Sequence, residues 1–336
     1  MCRAYNELAR AGKDIDVFNS KFPQYKKAIS DLLKNDETTA SPGGNDQSHL
    51  TGYILNGVDV PISMYPYMAL IGRFGRVHCG GSVVSDRVIL TAAHCLCSST
   101  GHILPAKTFD VYLGSAKALD GTKYKVCKTL PHARYGTVLY GYDLGLMLLN
   151  KNIKFGATVQ KIAPVSNSQW KKKASMLTVI GFGVTSNAGK LPETLQMTKM
   201  YYINETQCFN SQHGMPFPIV LPSHMFCMIG ERWTSDCFGD SGSPVIWKRN
   251  IVGLVSSGRD NFCGSDMMPS MYTDVRHFNK WLDDNVRDLE ENTECNIEQK
   301  QDPQPKDIRT YANDRYGEKL AARYTKQTIE LVLNFD

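Results

Sequence analysis

No apolar run in these 336 residues approaches the roughly 20 residues a helix needs to cross a bilayer, which excludes a transmembrane helix. No paired Cys-x-x-Cys spacing of a zinc site occurs, since Cys95-Leu96-Cys97 has the wrong interval. Lys and Arg do not cluster beyond Lys171-Lys172-Lys173, which reads as a solvated loop, so no nucleic-acid partner is expected. There is no internal repeat. Met1-Cys2-Arg3-Ala4-Tyr5 opens a polar stretch that lacks the apolar segment of a secretory leader.

Cysteine, by contrast, is plentiful. Ten cysteines are too many for an ordinary cytosolic enzyme of this size, and disulfides imply an oxidising compartment. The cysteines are the stronger signal, so the expectation is a secreted protein. In that setting Asn204-Glu205-Thr206 is a glycosylation sequon. At 42% hydrophobic and 21% charged residues, with a net charge of +5, the composition supports a sizeable globular core.

The chain reads in three parts. Residues 1–53 hold one or two amphipathic helices within 1–36, with Leu8, Val17, Phe18, Tyr25, Ile29, Leu32 and Leu33 apolar, and then a polar Ser/Gly/Asn-rich linker over 35–52. From Ile54 to residue 289 the character changes. Short runs rich in β-branched and aromatic residues alternate with Gly, Pro, Asn and Asp: Tyr67–Ile71, Ser82–Ser85, Val88–Thr91, Phe109–Leu113, Leu144–Leu149, Leu177–Gly181, Gln196–Ile203 and Pro244–Val255. This pattern predicts an all-β fold of antiparallel barrels or sandwiches. Val275–Leu289 returns to helical spacing, with Phe278, Trp281, Leu282 and Val286 on one face. Residues 290–336 form a C-terminal extension, extended to 308 and then weakly helical.

The chemistry centres on Cys237-Phe238-Gly239-Asp240-Ser241-Gly242-Ser243-Pro244. A serine is a weak nucleophile unless a base and an orienting acid accompany it. The base candidate is His94, in Thr91-Ala92-Ala93-His94-Cys95, where small neighbours leave room for another group. The acid candidate is Asp143, which leads into the apolar run Leu144-Gly145-Leu146-Met147. Each has an ordinary structural reading: a glycine-rich turn, a core histidine, a strand-start aspartate. Their order, His94, Asp143, Ser241, at intervals of tens of residues, favours the chemical one.

At this point the sequence resembles the chymotrypsin-like, trypsin-family serine proteases over Ile54 to about Val286. The resemblance rests on Ile54-Leu55-Asn56-Gly57, Thr91-Ala92-Ala93-His94-Cys95, Asp143-Leu144, Gly239-Asp240-Ser241-Gly242, Val255-Ser256 and Tyr272-Thr273-Asp274-Val275. It implies two six-stranded antiparallel β-barrels, with His94 and Asp143 supplied by the first and Ser241 by the second. It also implies that His94 acts as the base, that Asp143 orients it with support from Ser256, and that the N–H groups of Gly239 and Ser241 form an oxyanion hole. Disulfides Cys79–Cys95, Cys208–Cys227 and Cys237–Cys263 follow from the same resemblance. A Cys97–Cys127 bridge is a further expectation outside the family pattern, and Cys2 and Cys295 are left to pair, stay free or bind a partner chain.

The resemblance implies protein or peptide substrates, protease inhibitors and an activating protease as partners. No cofactor is expected and no metal, since Ser115 stands where calcium-binding members carry their first Glu. Activation would release the α-amino group of Ile54 to pair with Asp240. Tyr53 departs from the Lys or Arg that usually precedes the cut, which points to a chymotrypsin-like activator or to rare activation. The specificity pocket departs too. Ser235 stands at the base in place of Asp, Asp236 follows it, Gly258 leaves one wall open, and Ser270 replaces a glycine and narrows the pocket. Ser257 replaces the usual Trp and Ser243 a glycine. A basic residue before the scissile bond is the weaker preference expected from Asp236. A non-catalytic homologue acting as a binding protein is the competing class, although such proteins usually lose a triad member. A third reading, an α/β-hydrolase, is disfavoured by chain order and by Ser243 at the elbow's final glycine.

Overall fold

A computed structural model describes residues 57–98, 100–136, 141–172, 175–184, 192–211, 221–230, 234–257, 269–292 and 294–295. The helices expected within 1–36 and 309–336, the linker, and Tyr53, Ile54, Gly258 and Cys263 lie outside the described residues.

Strand β1 is Val58–Asp59. Strands β2 (Met68–Arg73), β3 (Arg76–Val83), β4 (Val88–Thr91), β5 (Phe109–Leu113), β6 (Thr122–Pro131) and β7 (Gly145–Leu149) close into an antiparallel barrel in the order β2-β3-β4-β7-β6-β5. Strands β8 (Met176–Gly181), β9 (Gln196–Ile203), β10 (Met225–Gly230), β11 (Pro244–Trp247), β12 (Asn250–Ser257) and β13 (Ser270–Asp274) run β9-β10-β13-β12-β11-β8. β8 pairs back onto β9, which closes the second six-stranded ring, and β1 adds to β9 from outside. A short helix α1 (Glu205–Ser211) follows β9. A 3-10 turn (Val275–Phe278) leads into α2 (Asn279–Asn292).

Alternation within the strands explains both cores. In β2, Ala69 and Ile71 point into the first barrel with Ile89, Phe109, Val111 and Met147. Their neighbours Met68 and Leu70 point outward, yet are buried with Leu90, Leu146, Ile180, Leu254 and Leu282 in a layer shared by the two barrels and α2. The second barrel is filled by Trp170, Leu177, Val179, Phe226, Val252 and Tyr272. Barrels of six strands are narrow enough for side chains to fill. Because both faces of β4 and β7 are covered, these strands are buried at every position and read as unbroken apolar runs.

Two expectations are corrected. Pro244–Val255 is a hairpin and not one strand. Lys248 and Arg249 turn between β11 and β12 with φ of 46° and 64°. Such two-residue turns favour Asn-Gly, so a Lys-Arg pair gave no turn signal. The Cys97–Cys127 bridge does not form: Cys127 pairs with Cys295, and Cys97 is a free, buried thiol. Cys127 sits at a bulge in β6 that breaks the register between Val126 and Lys128. Cys97 instead lies in the bridge with Ile103, and burial pushes its thiol up to about 12.

The Cys127–Cys295 bridge ties the residues beyond α2 to the first barrel across 168 positions of sequence. Ser85 reinforces this by donating to Glu290 at 2.6 Å. Replacing Cys295 with Ser should lower stability by about 2–4 kcal/mol. Denaturant unfolding without reductant checks this, and an unchanged midpoint would show that the bridge contributes nothing.

Candidate active site

Local register brings the first two candidates together. The last residue of β4, Thr91, pairs with the first of β7, Gly145. His94, three residues beyond β4, and Asp143, two before β7, therefore emerge at the same end of the barrel. His94 occupies a single 3-10 turn, Ala93–Cys95, between the fully buried Ala92 and Cys95. The Cys79–Cys95 disulfide pins that turn to β3.

The Asp143 carboxylate is buried and multiply bonded. His94 Nδ1 donates to Oδ2 at 2.7 Å, and the His94 backbone N–H donates to Oδ1 at 2.9 Å. From the second barrel, Ser256 Oγ donates to Oδ2 at 2.6 Å, and Thr273 Oγ1 donates to the Asp143 carbonyl at 2.9 Å. Burial alone pushes the carboxyl up, but the facing imidazole and the hydrogen bonds from His94 and Ser256 outweigh it and hold Asp143 below the usual carboxylate range. For His94, burial works against protonation, yet the Asp143 charge and hydrogen bond prevail and hold the ring above its ordinary value of 6.5. Binding a proton more tightly when folded, His94 stabilises the fold below about pH 6.5, a contribution lost as pH rises through the folded value. The Asp143 bond engages Nδ1 and leaves Nε2 of the part-exposed ring unclaimed by the carboxylate.

Ser241 reaches the same place from the second barrel. Its carbonyl accepts the Gly80 N–H at 2.8 Å, next to the Cys79–Cys95 bridge, and the Cys95 sulfur lies 3.7 Å away. The loop needs glycine on both sides, with φ of 96° at Gly239 and 76° at Gly242. A Cβ on Gly242 would also run into Thr91 Oγ1 and the Gly80 carbonyl. Among the described residues no hydrogen bond joins Ser241 Oγ to the His94 ring, a contact that often tightens only with substrate.

Asp240 is fully buried. It accepts the N–H of Gly183 at 2.8 Å and of Cys237 at 2.9 Å. Burial still dominates and raises its carboxyl to about 7. Ser235, Asp236 and Ser270 are all buried together. Tyr272 donates its hydroxyl to Asp236, and Ser270 also hydrogen-bonds that carboxylate, while burial raises the Asp236 pKa. Among the described residues, Ser257 and Ser243 each hold a buried hydroxyl without a partner.

Cys79–Cys95 and Cys208–Cys227 form as the resemblance implies, and Cys237 is also disulfide-bonded. Its expected partner Cys263, like Ile54 and Gly258, lies outside the described residues. Two contributors carried no role in the sequence reading: Thr273, which holds the Asp143 backbone, and Tyr272, which caps Asp236. Both lie in the quoted Tyr272-Thr273-Asp274-Val275 block, so the signal was present without an assignment.

A family model described as Trypsin matches residues 54–282. The chain is 32% identical over 235 residues to trypsin alpha-4 of Lucilia cuprina, covering 69% of this chain and 87% of that protein. It is 28% identical to the vitellin-degrading protease of Bombyx mori, covering 70% of this chain and 86% of that protein. Among solved structures, mouse neuropsin matches with a TM-score of 0.59 and 24% identity, over 68% of this chain and 98% of that one, a likeness of fold.

The balance at His94 can be read directly. Replacing Asp143 with Asn removes the charge and leaves burial in control, so the ring should titrate below 6.5 in the variant and above it in the parent. NMR titration of the His94 ring decides this, and equal values in the two proteins would refute the account.

Proposed function

This chain belongs to the trypsin family of serine-type endopeptidases, and on that premise we propose that His94, Asp143 and Ser241 are its catalytic triad. The observation that carries the reading is the 2.7 Å bond between His94 Nδ1 and a buried Asp143 that draws further donors from the other barrel. In the proposed reaction His94 Nε2 takes the Ser241 proton as Oγ attacks the scissile carbonyl, and later delivers it to the leaving amine. Asp143 keeps the proton on Nδ1 and stabilises the imidazolium. The N–H groups of Gly239 and Ser241 serve as oxyanion donors, each worth roughly 10²–10³ in turnover.

The proposal extends to activation. Cleavage at Tyr53–Ile54 frees an α-amino group that pairs with Asp240, a carboxylate whose burial makes an unpartnered charge costly. Residues 1–53 act as the pro-segment, 54–289 as the protease domain and 290–336 as an extension anchored through Cys295. Disulfides support a secreted location, and protein or peptide substrates, inhibitors and an activating protease are the expected partners. A diisopropyl fluorophosphate-type label tests the triad: protein beginning at Ile54 should carry one adduct on Ser241, uncut protein far less, and no adduct on the cut form would sink the assignment.

For specificity, Asp236 supports a weak preference for Lys or Arg before the scissile bond. Its carboxyl titrates above the usual carboxylate range because it is buried. The preference should therefore be weak in acid and grow as pH rises through that value. Asp236→Asn should lower kcat/KM for a Lys substrate about 10–100-fold relative to an uncharged one. A ratio indifferent to both pH and substitution would mean that Tyr272 and Ser270 consume the carboxylate internally.

A further inference from the structure

The residue before Asp143 is held in an unusual conformation by the other barrel. Tyr142 has a φ of 57°, in the left-handed region that a bulky side chain rarely adopts. Its backbone N–H donates to His224 Nε2 at 3.1 Å, and its carbonyl accepts the Leu144 N–H at 3.0 Å. His224 is buried just ahead of β10 and is itself fixed, its carbonyl accepting the Asp274 N–H at 2.9 Å. The Tyr142 ring lies between two histidines, with centroids 5.0 Å from His132 and 4.3 Å from His224. Phe278 closes the edge at 6.0 Å, and the Arg134 guanidinium sits 4.2 Å from the ring centre.

A backbone N–H can only donate, so His224 must present an unprotonated Nε2. The surroundings favour that form. Burial comes first in lowering the His224 pKa, His277 and Arg134 add to it, and only Asp274 opposes. Neighbouring His132 is lowered to about 4 by burial, Arg134 and His224.

We infer that His224 is a positioning residue for the reaction: its Nε2 holds Tyr142 in the left-handed conformation and so keeps the Asp143 carboxylate aimed at His94. The role is indirect, since His224 touches Tyr142 and not the reacting groups. It is also a link between barrels, because the acceptor belongs to the second and the strained residue to the first. The inference rests on the triad reading.

Two variants separate the hydrogen bond from the bulk of the side chain. His224→Leu fills similar space without an acceptor, and its kcat on a peptide substrate should fall about ten- to a hundredfold with KM little changed. His224→Gln offers an oxygen near the Nε2 position and should retain most of kcat. Equal kcat for parent and His224→Leu, or a folded His224→Gln no better than His224→Leu, overturns the inference; thermal melts establish which variants are folded. If His224→Leu does not fold, 15N NMR of the parent protein still decides: the His224 proton is expected on Nδ1, and a proton on Nε2 overturns it. Ser241→Ala in parallel distinguishes the two readings. Full activity there removes the triad assignment itself, whereas lost activity there with an unaffected His224→Leu removes only the role of His224.

Discussion

A buried carboxylate that must not be left unpaired organises this molecule. Asp143 is almost fully buried, and an isolated charge in such a place is costly. It is satisfied only because two barrels meet on it. His94 supplies two donors from the first, Ser256 supplies one from the second, and Thr273 grips its backbone. The apolar layer of Leu70, Leu90, Leu146, Ile180 and Leu254 brings the barrels together, but it is non-directional. The polar contacts at Asp143 add direction, and they fix the orientation of the His94 imidazole.

The same logic recurs at Asp240 and Asp236, two of the buried acids of the second barrel; a further one, Asp274, is ion-paired with Lys171 and Arg276. Asp240 and Asp236 are both raised by burial, yet their partners differ. Asp240 takes backbone N–H groups of Cys237 and Gly183, and burial still outweighs them. Asp236 takes side-chain hydroxyls, which satisfy it in part and without charge. Asp143, Asp240 and Asp236 thus meet different electrostatic fates, each set by its donors. In the proposed mechanism these fates correspond to orientation, activation and selectivity.

Much of this was legible beforehand. The strands at Val88–Thr91, Phe109–Leu113, Gly145–Leu149, Met176–Gly181 and Gln196–Ile203 follow from short apolar runs between turn residues, and the helical spacing of Val275–Leu289 is realised as a 3-10 turn followed by the helix at 279–292. Three features had no local signal in the residues. The hairpin at Lys248-Arg249 uses left-handed backbone without the glycine or asparagine that usually announces it. Strand β6 escaped because Lys123, Lys125 and Lys128 mask its apolar alternation, which is clear only once its outer face is seen to be solvated. The partner of Cys127 escaped because pairing depends on which chain segments pass within reach, and no spacing rule carries that over 168 residues.

Residue identity and order alone determined the family, the barrel class and the three candidate groups, because a nucleophile, a base and an acid in fixed chain order leave few alternatives. Tertiary structure alone decided what surrounds those groups: that Asp143 draws donors from both barrels, that Tyr272 caps Asp236, and that His224 holds Tyr142. The physical reason is distance. Hydrogen bonding and burial act over a few ångströms in space, and residues 142 and 224, or 143 and 273, become neighbours only after the chain has closed two barrels around a common apolar layer.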